Sequence, residues 1–315
     1  MSSPPTERES STALITTFVT MHTFAWTCCL IIITTVVFSP EIHRQSTWIN
    51  LTISWIIACF VYAFLLTTGE LYKANPNPGI CLFQAVLVDA VSSLVAGMML
   101  ALSLQLWFNL RSNPFKSTGT PQRRDTLLIV VPYVVPFIEF FATIGYAVQH
   151  PQEVALTKSG MFCGLTNPIF GRISFIYSAI LMVPTASAQA VLWHYSYWNW
   201  YKLSKNNRNA LATMVRLGLF TVFGIVGVLV SLLDLTNQVD LSVVNILESL
   251  PPVSFVLIFG LQQDLFRAWI FWLTCSSVPK PASGMWSRIR SIGTESYSTE
   301  NEQRRPPSSS ESTII

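Results

Sequence analysis

The sequence predicts an all-α membrane protein, built as a bundle of seven transmembrane helices. Two observations support this fold class. The 315 residues include only 19 basic and 16 acidic side chains, whereas 51% are hydrophobic, and a soluble domain of this length needs a more charged surface. The few charges also leave segments longer than the roughly 20 residues that cross a bilayer. The composition therefore excludes an ordinary soluble enzyme, and the net charge of +3 does not indicate nucleic-acid binding.

The seven helices are predicted in segments that carry almost no charge, because lipid offers the backbone no hydrogen-bond partners and a spanning segment must satisfy its own. The first two segments are uncharged. Each of the other five is interrupted by one charge, namely Asp89, Glu139, Arg172, Arg216 or Glu248, and the sixth ends at a further charge, Asp234. The predicted ranges are 13–38, 46–69, 80–110, 126–149, 168–200, 209–234 and 241–263.

The distribution of basic residues predicts the orientation of the bundle. If the N-terminus is outside and the C-terminus inside, 15 of the 19 Lys and Arg residues fall on the inner side. Inner loops of membrane proteins carry such an excess of basic residues. We therefore expect a multi-pass protein with this orientation in the plasma membrane, with an internal membrane as the open alternative.

The segments that flank the seven helices are predicted to lie outside the bilayer. Residues 1–12 would form a short extracellular N-terminus. Residues 264–274 are rich in Trp and Phe but too short to span again, which favours an amphipathic helix along the inner interface. Residues 275–315 include 14 Ser or Thr residues and too little apolar surface to fold, which predicts a disordered cytoplasmic tail. Cys275, which follows the interfacial helix, is either palmitoylated or unmodified.

Two of the six cysteines are predicted to form a disulfide. Cys81 lies at the outer start of the third helix, and Cys163 lies in the outer loop after the fourth. Both would face an oxidising compartment, where disulfides persist. A bridge would hold this loop across the mouth of the bundle, and the alternative is two unpaired thiols.

Charged residues at membrane depth are candidate functional residues, since each costs at least about 2.5 kcal/mol to insert. Together they could line an outward-facing pocket with an acidic excess. Alternatively, they satisfy neighbouring polar groups and only hold the helices together, and Arg172 lies near the outer headgroups. The candidate ligand-binding residues are Asp89, Glu139, Arg172 and Glu248.

On the predicted inner side, basic residues gather at the helix ends and would suit a G-protein or anionic lipid. Arg216, about two turns into the sixth helix, either extends to lipid phosphate or holds the sixth helix against the third. The candidate G-protein-facing residues are Arg111, Lys202, Lys205, Arg208 and Arg216.

Seven spans, the positions of Cys81 and Cys163, and a Ser/Thr-rich tail after an interfacial helix together resemble G-protein-coupled receptors. Arg111 stands where rhodopsin-like receptors have the Arg of D-R-Y, but the acid and the Tyr are missing. The sixth helix has no proline, and the seventh has Pro251-Pro252 in place of N-P-x-x-Y.

A closer similarity is to fungal seven-transmembrane receptors, including the mating-pheromone group. Three places in the sequence carry it. The matching residues are Asp125 with Pro132 and Pro136, then Gln149 and His150 with Gly160 and Cys163, then Phe259-Gly260 before Asp264-Leu265-Phe266-Arg267.

The resemblance implies a receptor that senses an extracellular ligand and signals to a cytoplasmic G-protein. The alternative is a transporter that uses buried Asp89, Glu139 and Glu248 to carry protons or a cation. We expect no enzyme activity, cofactor or metal site, because no catalytic motif occurs and His22 and His194 lie towards opposite faces. A retinal-binding opsin is excluded, because no Lys occurs between Lys205 and Lys280 to form the Schiff base.

Overall fold

A computed structural model of the protein is almost entirely helical. It describes residues 5–39, 42, 44–73, 75–111, 121–198, 208–235 and 241–274. The helices are α1 (Pro5–Phe38), α2 (Ser46–Tyr62), α3 (Phe64–Thr67), α4 (Pro78–Arg111), α5 (Pro121–Gln149), α6 (Pro168–Trp198), α7 (Arg208–Leu235), α8 (Leu241–Glu248), α9 (Leu250–Phe255) and α10 (Gln263–Thr274). A π-helical turn, Val256–Gly260, follows α9 directly.

The chain divides into two compact units, Met1–Ala268 and Trp269–Ile315. The first unit holds the helix bundle. The described part of the second unit is the end of α10.

Five of the described helical segments are long and apolar enough to cross a membrane. They are Thr12–Phe38, Pro78–Asn109, Arg123–Gln149, Pro168–Trp198 and Ser242–Gly260. Two more apolar helical stretches, Ser46–Tyr62 and Met214–Gly227, are shorter. The structure is thus mostly helical, as predicted, and its long apolar helices are suited to a lipid bilayer. Each of the seven predicted segments is helical over most of its length.

Helix α4 forms the centre of the bundle and packs against α2, α5 and α6. Its contact with α5 is close, because a Cβ atom on Gly97 would lie 3.1 Å from the Cβ atom of Pro132. Helix α1 packs against α2 and α9, and α7 packs against α6 and α9. The bundle therefore buries α4 most completely and leaves apolar faces of the outer helices exposed, as lipid-facing helices require.

Three predicted helix ranges were wrong at their limits. The first helix begins at Pro5 rather than at residue 13, so part of the predicted N-terminal segment is helical. The fourth begins at Pro121 rather than at residue 126. The second ends at Tyr62, and the short helix α3 follows. Near this break, the carbonyl group of Val61 accepts a hydrogen bond from the side-chain amide of Gln84.

The predicted seventh helix, 241–263, is divided into α8, α9 and the π-helical turn. The division between α8 and α9 lies at Ser249, just before Pro251 and Pro252. Proline has no N–H group to donate to the preceding turn, which breaks the ladder of helical hydrogen bonds here. The segment 264–274 is helical, as predicted, and forms most of α10. The predicted tail, 275–315, and Cys275 lie outside the described residues.

The loop between α5 and α6 contains a structure that the sequence did not predict. Two antiparallel strands, β1 (Val154–Leu156) and β2 (Cys163–Leu165), pair Leu156 with Cys163 and Val154 with Leu165. Gly160 lies in the connecting turn with a φ of +70°, a conformation that glycine adopts without a steric penalty. We call residues 154–165 the hairpin, and the end of the bundle that it covers the hairpin end.

Candidate functional site

The disulfide between Cys81 and Cys163 fixes the hairpin to the start of α4, and the predicted bridge is confirmed. The Cα atoms of the two cysteines are 5.2 Å apart. One helical turn after Cys81, the side chain of Gln84 accepts a hydrogen bond from the backbone N–H of Cys163 at 2.9 Å and donates one to the carbonyl group of Val61, also at 2.9 Å. Gln84 is fully buried, so these bonds replace those it would make to water.

The hairpin inserts apolar side chains into the bundle. Met161 is fully buried, and Phe162 packs against the rings of Phe18 on α1 and Tyr62 on α2 with centroid distances of 6.1 Å and 5.5 Å. The ring of buried His22 lies 4.8 Å from that of Tyr62. These aromatic rings close the hairpin end of the bundle, so a ligand that entered there would have to displace Phe162.

Two of the predicted acidic residues lie together below the hairpin. Asp89 on α4 and Glu139 on α5 are both half-buried and close enough to interact electrostatically. Ser174 on α6 donates a hydrogen bond to the backbone carbonyl of Asp89 at 2.7 Å, and its hydroxyl lies 3.1 Å from that of Ser93. The packing of α4 against α5 and α6 thus forms one polar cluster from residues on three helices.

The carboxylate of Glu139 has an unusual environment. Among the described residues, none donates a hydrogen bond of normal geometry to either of its oxygens, although both oxygens are buried. The hydroxyl of Ser93 lies beside this carboxylate but is within hydrogen-bond distance of Ser174. A buried carboxylate without donors favours a proton, a cation or a donor group from a ligand.

The other two candidate ligand residues lie apart from this cluster. Glu248, the last residue of α8, is exposed and lies within electrostatic range of Tyr62, as does Asp89. Arg172 on α6 is exposed and forms no ion pair with another described residue. The structure therefore brings Asp89 and Glu139 together and places Glu248 within electrostatic range of Tyr62, which Asp89 also reaches.

At the opposite end of the bundle, Arg44 connects the loop after α1 to the start of α10. Its guanidinium group donates hydrogen bonds to the side chains of Gln262 and Asp264. It also lies over the ring of Trp48, 5.4 Å from the centroid. Burial lowers the pKa of Arg44, nearby Asp264 opposes this shift, and Arg216 on α7 adds to it by charge repulsion.

The predicted G-protein-facing residues are only partly described. Arg216 is half-buried and close to Arg44, and the described residues give it no ion pair with the third predicted helix. Arg111 ends α4 and Arg208 begins α7, and the positions of their side chains are not described. Lys202 and Lys205 lie outside the described residues.

Sequence reasoning missed several polar residues that define the two ends of the bundle. Gln84 carried a usable signal, because it is a single amide one turn after Cys81 in an otherwise apolar segment. The pairing of Arg44 with Gln262 and Asp264 gave no signal in the sequence, because about 220 residues separate the partners. The sequence also gave no signal for the hydrogen bond that Asn245 donates to Ser159 of the hairpin at 2.8 Å.

The cluster around Asp89 and Glu139 can bind a cationic group or exchange a proton. Among the described residues, no three His, Cys, Asp or Glu side chains converge on a point where a metal ion could bind. Comparison with known proteins found no family model that matches this sequence and no curated protein that is significantly similar to it.

Proposed function

We propose that this protein is a seven-helix receptor, similar to the fungal receptors, that senses a ligand at the hairpin end and signals to a G-protein at the opposite end. The observation that carries the proposal is the disulfide-anchored hairpin above a buried polar cluster. An acidic cluster beneath a disulfide-anchored hairpin is suited to a specific ligand rather than to open passage. The ligand would contact Asp89 and Glu139 after displacing the aromatic rings.

The proposed orientation follows from the same features. Disulfides form in oxidising compartments, so the hairpin end would face the outside of the plasma membrane. The basic helix ends and α10 would then face the cytoplasm, in agreement with the excess of basic residues there. In this arrangement Ser46–Tyr62 and the α7 segment Met214–Gly227 complete seven spans.

Signalling would require two arrangements of the bundle. A ligand shifts their populations only by the difference between its affinities for the two. The proposed change separates the ends of α6 and α7 at the side opposite the hairpin, which would open a site for the G-protein next to Arg111, Arg208 and Arg216.

The decisive experiment is nucleotide exchange on purified fungal Gα subunits, with the protein in nanodiscs. We expect accelerated exchange with at least one subunit without added ligand, since receptors of this kind populate the active arrangement at a low level. Arg111→Ala should abolish the acceleration, whereas the control Lys73→Ala, at the hairpin end, should retain it. No acceleration with any subunit, in the presence of a peptide and small-molecule library, would refute the receptor.

A second candidate function is a proton- or cation-coupled transporter, and the environment of Glu139 favours it. A buried carboxylate next to a second acid, with the hydroxyl of Ser93 shared between it and Ser174, is suited to an intramembrane relay. The test is pH-driven flux into liposomes that contain the purified protein. Flux that is lost in Glu139→Gln but retained in Arg172→Gln would establish the transporter.

A further inference from the structure

The segment that follows α7 is held at both of its ends by polar contacts. At the hairpin end, the side-chain amide of Asn245 on α8 donates a hydrogen bond to the hydroxyl of Ser159, and Asn245 is 3% exposed. We call this contact the hairpin clasp. At the other end, Arg44 binds the side chains of Gln262 and Asp264, which we call the arginine clasp.

Between the two clasps the helix is irregular at two points. The first is the division at Ser249, whose hydroxyl donates to the carbonyl group of Ile246 at 2.6 Å and contacts the sulfur of Met21 at 3.1 Å. The second is the π-helical turn Val256–Gly260. A π turn contains one residue more than an α turn, is rare, and occurs mostly as a single turn at functional positions.

The packing of the π-helical turn explains why it has a defined position. Phe255 and Phe259 are fully buried, with their ring centroids 4.9 Å apart, and both pack against Phe220 of α7. Gly260 lies close to α1, since a Cβ atom there would be 3.0 Å from the Cδ1 atom of Ile32. Rotation of either end of the segment would break some of these contacts and require new ones.

The geometry points to a two-state connector: we propose that the π-helical turn persists because the two clasps fix both ends of the segment, and that opening either clasp converts the turn to α-helix. Returning the extra residue to an α-helical path rotates the released end by about 100° and shifts it by about 1.5 Å. The residues of the two clasps are about 28 Å apart along the helix, so they do not interact directly. The inference rests on these contacts and applies equally to a receptor and a transporter.

The connector makes the two clasps energetically dependent on each other. When the first clasp opens, formation of the α turn compensates part of the loss. When the second clasp opens, the turn is already α-helical, so its conversion cannot compensate the second loss. The loss of both clasps should therefore destabilise the protein by more than the sum of the separate losses, whereas sites this far apart are normally additive.

The test is a double-mutant cycle on the full chain in detergent micelles, read as the apparent melting temperature. Ser159→Ala opens the hairpin clasp and Arg44→Gln opens the arginine clasp. We expect the double variant to lose about 3 °C more than the sum of the two single losses. The matched control pairs Arg44→Gln with Ser103→Ala, because Ser103 accepts a hydrogen bond from Gln189 on α6, away from this segment.

Additive losses in the Ser159 cycle, within about 1 °C, would overturn the proposal. An equal excess in the Ser103 cycle would also overturn it, because the effect would then not belong to this segment. Deletion of Leu257, which is 49% exposed, removes the extra residue from the turn. In that background the Ser159 cycle should become additive, and a persistent excess would contradict the role of the π-helical turn. The first two outcomes decide the proposal even if the deletion variant does not fold.

Discussion

The side chain of Gln84 joins the backbone of the hairpin to the backbone of α2, accepting a hydrogen bond from the N–H of Cys163 at 2.9 Å. It lies one turn from the disulfide, so a covalent and a polar attachment hold the same strand. The hairpin is therefore held to the bundle by two attachments that are both buried.

Replacing Gln84 should weaken this attachment. Gln84→Leu keeps the approximate volume but leaves the N–H of Cys163 without its partner, at a cost of about 1–3 kcal/mol for this buried group, and removes one of the hydrogen bonds to the carbonyl of Val61. We expect a lower melting temperature and faster proteolysis within the hairpin. Gln105→Leu, on the same helix near its other end, should not change hairpin proteolysis. Equal proteolysis in the two variants would contradict this role of Gln84.

Removing the disulfide should destabilise the protein by about 2–4 kcal/mol. Cys81→Ser, Cys163→Ser and the double variant should all unfold at the same reduced temperature, which reducing agent should not lower further. Cys28→Ser is the control, because Cys28 is a free cysteine in α1 and its loss should leave the effect of reduction unchanged. Different melting temperatures for the two single variants would indicate that the cysteines are not each other's partners.

Neutralising Glu139 should stabilise the protein. Its carboxylate is buried, and the hydroxyl of Ser93 beside it is shared with Ser174, so Glu139→Gln removes a charge whose burial is poorly compensated. The melting temperature should rise. Glu153→Ala provides the opposite case, because Glu153 accepts a hydrogen bond from the hydroxyl of Tyr146 at 2.9 Å, and the loss of this bond should lower the melting temperature. A fall in both variants would show that Glu139 has a donor in solution.

The contact between α4 and α5 should not tolerate a larger residue at Gly97. In Gly97→Ala the new methyl group would lie 3.1 Å from the Cβ and 3.4 Å from the Cα of Pro132, so the backbones must separate, at about 1–3 kcal/mol. Gly145→Ala on α5 is the matched control, because nothing lies within 4 Å of the added methyl group. In thermal unfolding, Gly97→Ala should have a lower melting temperature than Gly145→Ala. Equal melting temperatures would indicate that the helices are not this close.

Acid should loosen the loop that precedes α4. The side chain of Lys73 donates a hydrogen bond to Glu70 at 2.7 Å and lowers the pKa of Glu70, with a further contribution from the backbone N–H of Asn77. Because the folded-state pKa is lowered, this contribution is present above the ordinary pKa of a Glu and is lost as the pH falls through the folded-state value. The amide protection factors of residues 70–73, corrected for the pH dependence of intrinsic exchange, should fall at acidic pH, and Glu70→Gln should remove that dependence. An unchanged dependence in this variant would assign it to another group.

The sequence predicted the parts of this protein that depend on local composition. Helix length and apolar character are set by what a bilayer requires of each segment, so the seven helical segments could be recognised one by one. The disulfide was predictable because Cys81 and Cys163 both fall at segment ends on the same side. The helix α10 was predictable from its own Trp and Phe content.

The sequence did not predict other features, because they depend on contacts between residues that are distant in the chain. The hairpin lies in a segment with no strong strand pattern, and it is stabilised by Cys81, Gln84 and the aromatic rings of α1 and α2. The division of the last predicted helix could be suspected at Pro251-Pro252, but the π-helical turn could not, because its position follows from the packing of Phe255 and Phe259.

By itself, the sequence determined that this is a helical membrane protein and which segments are helical, because the cost of placing charge in lipid acts on each segment separately. Only the tertiary structure decided which charges meet. Asp89 and Glu139 are neighbours because α4 packs against α5, while Arg44 and Asp264 form an ion pair although 220 positions separate them. Such pairings depend on which helices pack together and in what rotation, and no local property of the chain specifies that.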